Sequence, residues 1–265
     1  MPKKNLLFEL SWLEIKELTK RVQTIIMPIG SVEEEGPHLP VGVDSIISSE
    51  IAKRIAENTN TLVAPLMPLG YSDWHMGFTG TITLSFDTLL QMLRDVLASL
   101  IKNGFKKFMF LNAHDGNDAA IRFTAHEMRK KHSVLVSAIN LWRLSKDMIK
   151  DIPEIEEKDF LHGGEIMTSV MLALRPDLVD MNKAQTEYAY VNSGSSNFIQ
   201  KDSDVVQFKD YCMNVFRLSH EVTKSGVMGN PMKATREKGE KIVDKWVSYL
   251  SESVKEFKKI SVKIL

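Results

Sequence analysis

The 265-residue chain contains a single cysteine, Cys212. One thiol cannot form a disulfide within the chain, so the fold depends on its core rather than on covalent cross-links. Because proteins without disulfides are typical of reducing compartments, we expect a cytoplasmic location. We expect the thiol itself to be buried and chemically inert.

Long hydrophobic runs and an excess of one charge are also missing. No stretch approaches the roughly 20 apolar residues of a membrane span, and the N-terminus lacks the apolar segment of a secretory signal. Lys+Arg and Asp+Glu balance at 34 each. This balance argues against nucleic acid and anionic membranes as partners, since both usually require a basic face.

The residues that are present suit an enzyme. With 43% hydrophobic and 26% charged residues, the composition is typical of a soluble protein, and we expect its partner to be a small-molecule substrate. A chain of this length can bury a core sufficient for stability. We therefore predict one domain that comprises residues 1–265.

Apolar segments with the spacing of strands alternate with segments that have the spacing of helices. Predicted strands cover 24–30, 62–66, 107–112 and 134–139, and predicted helices cover 46–57, 89–101, 118–131, 164–174 and 234–259. Ser11 and Glu14 form a capping-box pattern for a further short helix. The alternation predicts right-handed βαβ units and an α/β fold with a mostly parallel sheet.

Acidic and histidine side chains concentrate in the loop after the first predicted strand, residues 30–44. The loop contains Glu33, Glu34, Glu35, His38 and Asp44. If the backbone is extended, Glu33 and Glu35 point to one side and Glu34 points away. Asp44 can rejoin the pair if the loop turns at its glycines and prolines.

His114 follows another predicted strand and should reach the same edge of the sheet, because parallel strands end together. Converging carboxylates with one imidazole suit Mn²⁺, Fe²⁺ or Zn²⁺. A solvated acidic surface loop is the simpler interpretation of three consecutive glutamates. Spacing alone leaves both interpretations open.

Several motifs resemble those of the creatininase family. Residues 30–40, Gly-Ser-Val-Glu-Glu-Glu-Gly-Pro-His-Leu-Pro, resemble the family pattern Gly-Ser-x-Glu-Gln-His-Gly-Pro-His-Leu-Pro. Residues 77–84 and 112–117 are similar to Gly-Phe-Pro-Gly-Thr-x-Ser-Leu and Asn-Gly-His-Gly-Gly-Asn, and 162–165 and 226–231 follow in family order. The resemblance implies a three-layer α/β/α sandwich with a mostly parallel central sheet, and a metal-dependent hydrolase.

The resemblance also implies the metal ligands. By position, Glu33, Asp44 and His114 match one metal set, and Asp44 matches the carboxylate that bridges two metals in the family. At the second metal the chain departs from the pattern, because Glu35 stands where the family usually has histidine. Gly116 stands where creatininase proper has a metal-binding glutamate.

Glu165 offers a compensating carboxylate, and we expect Glu35, Asp44 and Glu165 to hold the second metal. Together with Glu33 these carboxylates would repel one another strongly without cations, whereas two divalent ions balance four negative charges. A carboxylate in place of an imidazole favours Mn²⁺, with Zn²⁺ and Fe²⁺ as further options.

Other positions are implied to act on the substrate. His162 matches a family histidine that would donate a proton to the leaving group, although a histidine beside two glycines could equally serve as a hydrogen-bonding residue at a helix start. We expect His75 to line the substrate pocket and Asp115 to make it more polar. His38 is expected either to contact substrate or to hold the acidic loop by hydrogen bonds.

We predict an amidohydrolase that cleaves a cyclic amide or another C–N amide bond with a metal-activated water. The alternative within the family is ring opening of a cyclic diketone derived from inositol. An alternative of another class is a non-catalytic, oligomeric metabolite-binding protein. The resemblance implies a homo-oligomer, often a hexamer in the family, and the polar segment 185–210 is a candidate contact.

Overall fold

The computed structural model describes residues 5–157, 160–189, 197–201 and 205–262. Its centre is a parallel sheet of four strands in the order β2-β1-β3-β4. The strands are β1 (Thr24–Ile29), β2 (Leu62–Val63), β3 (Lys107–Asn112) and β4 (Leu135–Asn140). All four were predicted, although β2 is shorter than the expected 62–66.

The α-helices of the described residues are α1 (Trp12–Thr19), α2 (Val43–Thr59), α3 (Phe86–Lys102), α4 (Asp118–Lys131), α5 (Leu141–Met148), α6 (Glu165–Leu174), α7 (Ser219–Val222) and α8 (Arg236–Phe257). The predicted capping box of Ser11 and Glu14 opens α1. Single-turn 3₁₀ segments include Asp73–His75 and Asp115–Asn117. Within the described ranges, no helix is both long enough and apolar enough to cross a bilayer.

Helices cover both faces of the sheet and form the predicted α/β/α sandwich. Alternate residues of β1 point to opposite faces, so Ile26 packs with α2, α6 and α8 while Ile25 and Met27 pack with α3 and α4. Every residue of β1 and β3 is buried, as expected for central strands of a parallel sheet. This double core makes the sheet a rigid base for the loops.

The register of the sheet brings two loops and the start of α5 to one edge. Ile29 of β1 pairs with Asn112 of β3, which pairs with Asn140 of β4. The polar loops that follow Ile29 and Asn112 therefore begin side by side at the carboxyl ends of the strands, next to the start of α5. In open α/β sheets this edge is where ligands bind.

A small antiparallel sheet lies in the segment that the sequence indicated as a polar loop, which corrects that prediction in part. Its strands are β5 (Phe198–Gln200), β6 (Val205–Phe208) and β7 (Tyr211–Asn214). Residues 190–196 and 202–204 of the candidate contact lie outside the described residues. Cys212 lies on β7 and is exposed, so the prediction of a buried thiol was wrong.

Candidate metal centre

The acidic loop folds back on itself because its first residue is a glycine. A side-chain carbon at Gly30 would lie 2.4 Å from the backbone nitrogen of Ser45, so only glycine lets the end of β1 approach the start of α2 this closely. Asp44 lies in the first turn of α2, where the helix dipole favours a carboxylate. The packing thereby returns Asp44 to the neighbourhood of Glu33, as predicted.

Glu33, Asp44 and His114 form one buried group of potential metal ligands. His114 Nδ1 lies 3.1 Å from Glu33 Oε2 and 3.4 Å from Asp44 Oδ2. One ligand atom from each residue lies within 4.8 Å of the others. The structure thus brings together the three residues that the resemblance implied for one metal.

Neighbouring groups hold these ligands in position. The ring nitrogen His114 Nε2 is 2.8 Å from the carbonyl oxygen of Tyr71, which accepts its hydrogen and leaves Nδ1 free to face the carboxylates. Trp142 Nε1 donates to Asp44 Oδ1 at 3.1 Å, and the Ser31 hydroxyl donates to Oδ2 at 2.9 Å. Partners of this kind orient the ligands of metal sites and fix the histidine tautomer.

Glu33, His75 and His162 form a second group of potential ligands. Glu33 Oε1 lies 3.4 Å from His75 Nε2, and the ring centroids of His75 and His162 are 4.7 Å apart. His75 was expected to line the substrate pocket, but it is buried and joins the cluster directly. His162, the predicted proton donor, also lies within the cluster.

Glu34 is a member of the site that the sequence did not predict. Its Oε1 lies 2.7 Å from His75 Nδ1 and accepts a hydrogen bond from the Ser219 hydroxyl at 2.7 Å. The expectation that Glu34 points away from the site was wrong, because this segment of the loop is not a regular strand. Its position between the candidate ligands Glu33 and Glu35 was the only feature of the sequence that could have indicated this role.

Glu165 does not join the cluster, which corrects the predicted second metal set. Its Oε1 lies 2.6 Å from Lys238 Nζ, and its Oε2 accepts from the backbone N–H groups of Glu156 and Glu157 at 3.0 and 2.8 Å. Lys238 comes from α8, so no local pattern around Glu165 indicated this ion pair. Both carboxylate oxygens are engaged, and the set Glu35, Asp44 and Glu165 does not form.

Glu35 is buried and neither of its carboxylate oxygens accepts a hydrogen bond, although Oε2 lies within ion-pair distance of His162 Nε2, at 3.2 Å. Burial, together with repulsion from Asp44 and Glu33, raises the pKa of Glu35 well above its usual value, although His162 opposes the shift. Burial acts on His162 in the opposite sense, but the carboxylates of Glu35 and Glu34 raise its pKa well above the usual value. The buried carboxylates therefore favour the binding of a cation in this site.

Divalent metal ions fit this group of buried carboxylates. Besides both oxygens of Glu35, the oxygens Glu33 Oε2 and Glu34 Oε2 are buried without a hydrogen bond, and their nearest positive partners are the rings of His114 and His162. Buried polar atoms without partners are rare in folded proteins and indicate a missing ion or water. Glu34 replaces Glu165 in the charge count, so the site still has four carboxylates, which two divalent ions would neutralise.

Two further predicted residues lie outside the cluster. His38 is buried, and its Nε2 forms a 2.8 Å hydrogen bond with the Thr168 hydroxyl of α6, consistent with holding the acidic loop. Asp115 is exposed and accepts from Asn140 Nδ2 at 2.5 Å, with Arg143 at 3.5 Å. Asp115 therefore lies at the rim of the site, where contact with a substrate stays a prediction.

A model of the creatininase family, described as creatinine amidohydrolase, matches residues 8–254. This chain belongs to the creatininase family. Creatinine amidohydrolase of Pseudomonas putida is 28% identical over 94% of this chain and 95% of its own length. The 3-dehydro-scyllo-inosose hydrolase of Thermotoga maritima is 32% identical over 63% of this chain and 55% of its own length.

Solved structures agree with the family assignment. The structure described as creatininase Mn is 26% identical, has a TM-score of 0.79, and aligns over 96% of this chain and 98% of its own. A mutant creatininase described as Zn-Zn type is also 26% identical, with a TM-score of 0.78 over the same shares. These comparisons confirm the predicted family, fold and class, a metal-dependent hydrolase.

The ion pair of Glu165 predicts a large effect of Lys238→Met on stability. The side chains are 0% and 13% exposed, so the change leaves a buried carboxylate without its counter-charge. We expect a loss of about 3 kcal/mol in the free energy of unfolding, measured by urea denaturation. In the control Lys245→Met, whose partner Asp151 is exposed, the loss should stay below about 1 kcal/mol.

Metal content should be unchanged in Lys238→Met. Unchanged stability in Lys238→Met, or loss of bound metal in a stably folded Glu165→Gln, would return Glu165 to the metal centre.

The buried His38 predicts a pH dependence of stability. Burial lowers its pKa to about 4, so the unfolded chain binds a proton at higher pH than the folded chain does. Stability is therefore lost as pH falls from about 6.5 to 4. Relative to His38→Gln, wild type should lose about 2 kcal/mol between pH 7 and 5, measured by urea unfolding at each pH.

The exposed His132→Gln is the matched control and should follow wild type. A constant difference between wild type and His38→Gln across this pH range would contradict the assignment of a neutral, buried His38.

Proposed function

We propose that this protein hydrolyses a C–N amide bond of a small molecule, with a cyclic amide as the first choice, at a site that holds two divalent metal ions. The observation that carries the proposal is the buried and oriented group Glu33, Asp44 and His114. This group lies at the carboxyl edge of the sheet in a chain of the creatininase family. A solvated acidic loop would show neither this burial nor these partners.

Different side chains of the site would bind the metal ions and orient the metal ligands. Bound divalent ions supply a Lewis acid for the carbonyl oxygen and lower the pKa of water. Glu33, Asp44 and His114 would hold an ion, while the Trp142 indole N–H, which is shared with the Ala113 carbonyl oxygen, contacts one oxygen of Asp44. His162 keeps its predicted role as proton donor only if its ring stays free of metal, and the metal content of a His162 variant decides this point.

Mn²⁺ or Zn²⁺ is our proposal for the native metal, with Fe²⁺ as a further option. The sequence favoured Mn²⁺ because Glu35 stands where the family usually has histidine. The cluster nevertheless contains three imidazoles, from His75, His114 and His162. Imidazole suits Zn²⁺, so the additional nitrogen donors support Zn²⁺ as strongly as Mn²⁺.

Ring opening of an inositol-derived diketone is the second candidate. It is supported by the 32% identity to 3-dehydro-scyllo-inosose hydrolase and by a departure at Gly116. A side-chain carbon at Gly116 would lie 2.1 Å from the Tyr71 carbonyl oxygen and 2.5 Å from His114 Nε2. The glutamate that creatininase proper has at this position therefore cannot be accommodated here without rearrangement.

A substrate panel tests the proposal. Metal-loaded protein is incubated with creatinine, other cyclic amides, formamides and 3-dehydro-scyllo-inosose, and products are followed by mass spectrometry. We expect turnover of an amide that His114→Ala lowers by at least about 100-fold, since the variant lacks a metal ligand. Turnover of the inosose alone selects the second candidate, and no turnover at all supports the non-catalytic alternative.

We also propose a cytoplasmic homo-oligomer, with a hexamer as the expected size. Its support is the set of exposed apolar side chains on and beside the small sheet, which include Tyr211 and Phe216 at 80% and 82% exposure. Light scattering should give a mass above that of one chain, and Tyr211→Glu with Phe216→Glu should lower it. Phe123→Glu, an exposed control on α4, should not.

A monomeric wild type would overturn the proposed assembly. Cell fractionation tests the proposed location.

A further inference from the structure

The loop that carries His162, residues 160–164, lies between two buried glutamates. Glu157 precedes the loop and is 7% exposed, and Glu165 follows it and is 0% exposed. Each carboxylate accepts a hydrogen bond from the backbone N–H of the other residue, at 2.8 Å in both directions. This reciprocal pair, which we call the glutamate clasp, ties the two ends of the loop together.

The other oxygen of Glu157 connects the glutamate clasp to a second segment of the chain. Glu157 Oε1 accepts a hydrogen bond from the backbone N–H of Asn230. In the same segment, the backbone N–H of Met228 donates to the carbonyl oxygen of His162 at 2.8 Å. The backbone of His162 is therefore held by two segments, and the Glu157 carboxylate joins them.

Two glycines leave the space that this carboxylate occupies. A side-chain carbon at Gly164 would lie 2.6 Å from Glu157 Oε2, and one at Gly229 would lie 2.8 Å from Oε1. Carbon and oxygen atoms that are not bonded to each other clash at these distances, so a side chain at either position would displace the carboxylate. The glutamate clasp therefore depends on both glycines.

The charge of the glutamate clasp is balanced by groups of the protein. Lys238 Nζ lies 2.6 Å from Glu165 Oε1, and the backbone N–H of Glu156 donates to Glu165 Oε2 at 3.0 Å. Each of the four carboxylate oxygens thus has at least one donor. The oxygens of Glu35, in contrast, are buried and accept no hydrogen bond. The glutamate clasp is therefore a hydrogen-bonded structural unit and is distinct from the metal centre.

The His162 ring depends on its backbone for its position in the site. Its Nε2 lies 2.7 Å from the Glu34 carbonyl oxygen and 3.2 Å from Glu35 Oε2. Both contacts involve one nitrogen at the tip of the ring, so they persist only while the backbone stays in place. Phe160 of the same loop stacks on Trp142, with ring centroids 4.6 Å apart. This stacking holds the loop at a further point.

We propose that Glu157 is a positioning residue, which through the glutamate clasp fixes the backbone of His162 and so orients its ring toward the substrate. The inference rests on the proposed function, in which His162 transfers a proton. Glu157 acts only through the backbone and is not a catalytic residue. Its effect should nevertheless be large, because a displacement of about 1 Å in a reacting group can lower a rate about 100-fold.

Glu157→Gln tests the proposal. The amide keeps the shape of the carboxylate but turns its N–H₂ group toward one of the two backbone N–H groups, so one hydrogen bond of Glu157 is lost. On an amide that the substrate panel identifies, we expect kcat to fall about 100-fold while KM stays within about twofold of wild type. Bound metal, measured by plasma mass spectrometry, should equal that of wild type.

The neighbouring Glu156→Gln is the matched control. Its side chain is 58% exposed and pairs with Lys233 at the surface, whereas its backbone N–H to Glu165 remains. Its kcat should equal that of wild type. If Glu157→Gln does not fold, Glu157→Asp replaces it, since a carboxylate one methylene shorter cannot reach both N–H groups. We then expect kcat to fall about 10-fold, the effect of one hydrogen bond.

NMR of the His162 ring gives a readout that needs no turnover. In the Zn²⁺-loaded protein, which is diamagnetic, the ring nitrogen signals are assigned with His162→Gln. In Glu157→Gln we expect the His162 signals to shift or broaden, while those of His114, which the Tyr71 carbonyl holds, stay in place. A residue that only stabilises the fold would lower the urea midpoint and leave the His162 signals and kcat unchanged.

The two readouts together decide the inference. Wild-type His162 signals in folded Glu157→Gln overturn it, whatever happens to kcat or stability. Loss of bound metal in this variant also overturns it, because Glu157 would then act on the metal centre. Displaced His162 signals in a protein that turns over no substrate of the panel leave the positioning role standing and overturn the proposed reaction.

Discussion

Electrostatic repulsion among four buried carboxylates is the constraint on which the rest of the site depends. The four belong to Glu33, Glu34, Glu35 and Asp44. Two like charges 4 Å apart repel by about 4 kcal/mol at an effective dielectric constant of 20, so such a group needs compensation. In the protein alone the compensation comes from His114 and His162, whose pKa values the carboxylates raise well above the usual range against the effect of burial. Divalent ions provide the same compensation without protons.

The fold keeps these charges together although they repel one another. Glu33 and Asp44 are tied to β1 and α2, whose junction at Gly30 has no space for a side chain. Trp142 connects the site to the core, because its ring packs against Trp246 while its indole nitrogen binds Asp44. The carboxylates could move apart only if well-packed apolar groups were displaced. The free energy lost from this packing would exceed the electrostatic free energy gained by a small separation of the charges.

Much of this arrangement could be predicted, because it depends on local patterns. The strands β1 and β3 are continuous apolar runs, and the rule that parallel strands end together places Glu33 and His114 at one edge. The failures depend on partners distant in sequence. Glu165 was misassigned because its partner Lys238 comes from α8. The alternation expected of an extended chain placed Glu34 outside the site, whereas Ser219 and His75 hold it inside.

The positions at which this chain differs from the family pattern can be explained together by the space available for side chains and by the balance of charge. At Gly116 the Tyr71 carbonyl and the His114 ring occupy the volume of a side chain, so a ligand from this position would disturb the orientation of His114 itself. The lost carboxylate is offset by Glu35, which stands where the family usually has histidine. His75 brings a further imidazole into the cluster, with Nε2 3.4 Å from Glu33 Oε1. The cluster thus contains both carboxylate and imidazole donors although two family positions have changed, so the fold can keep the donor types of a metal centre while the pocket around it differs.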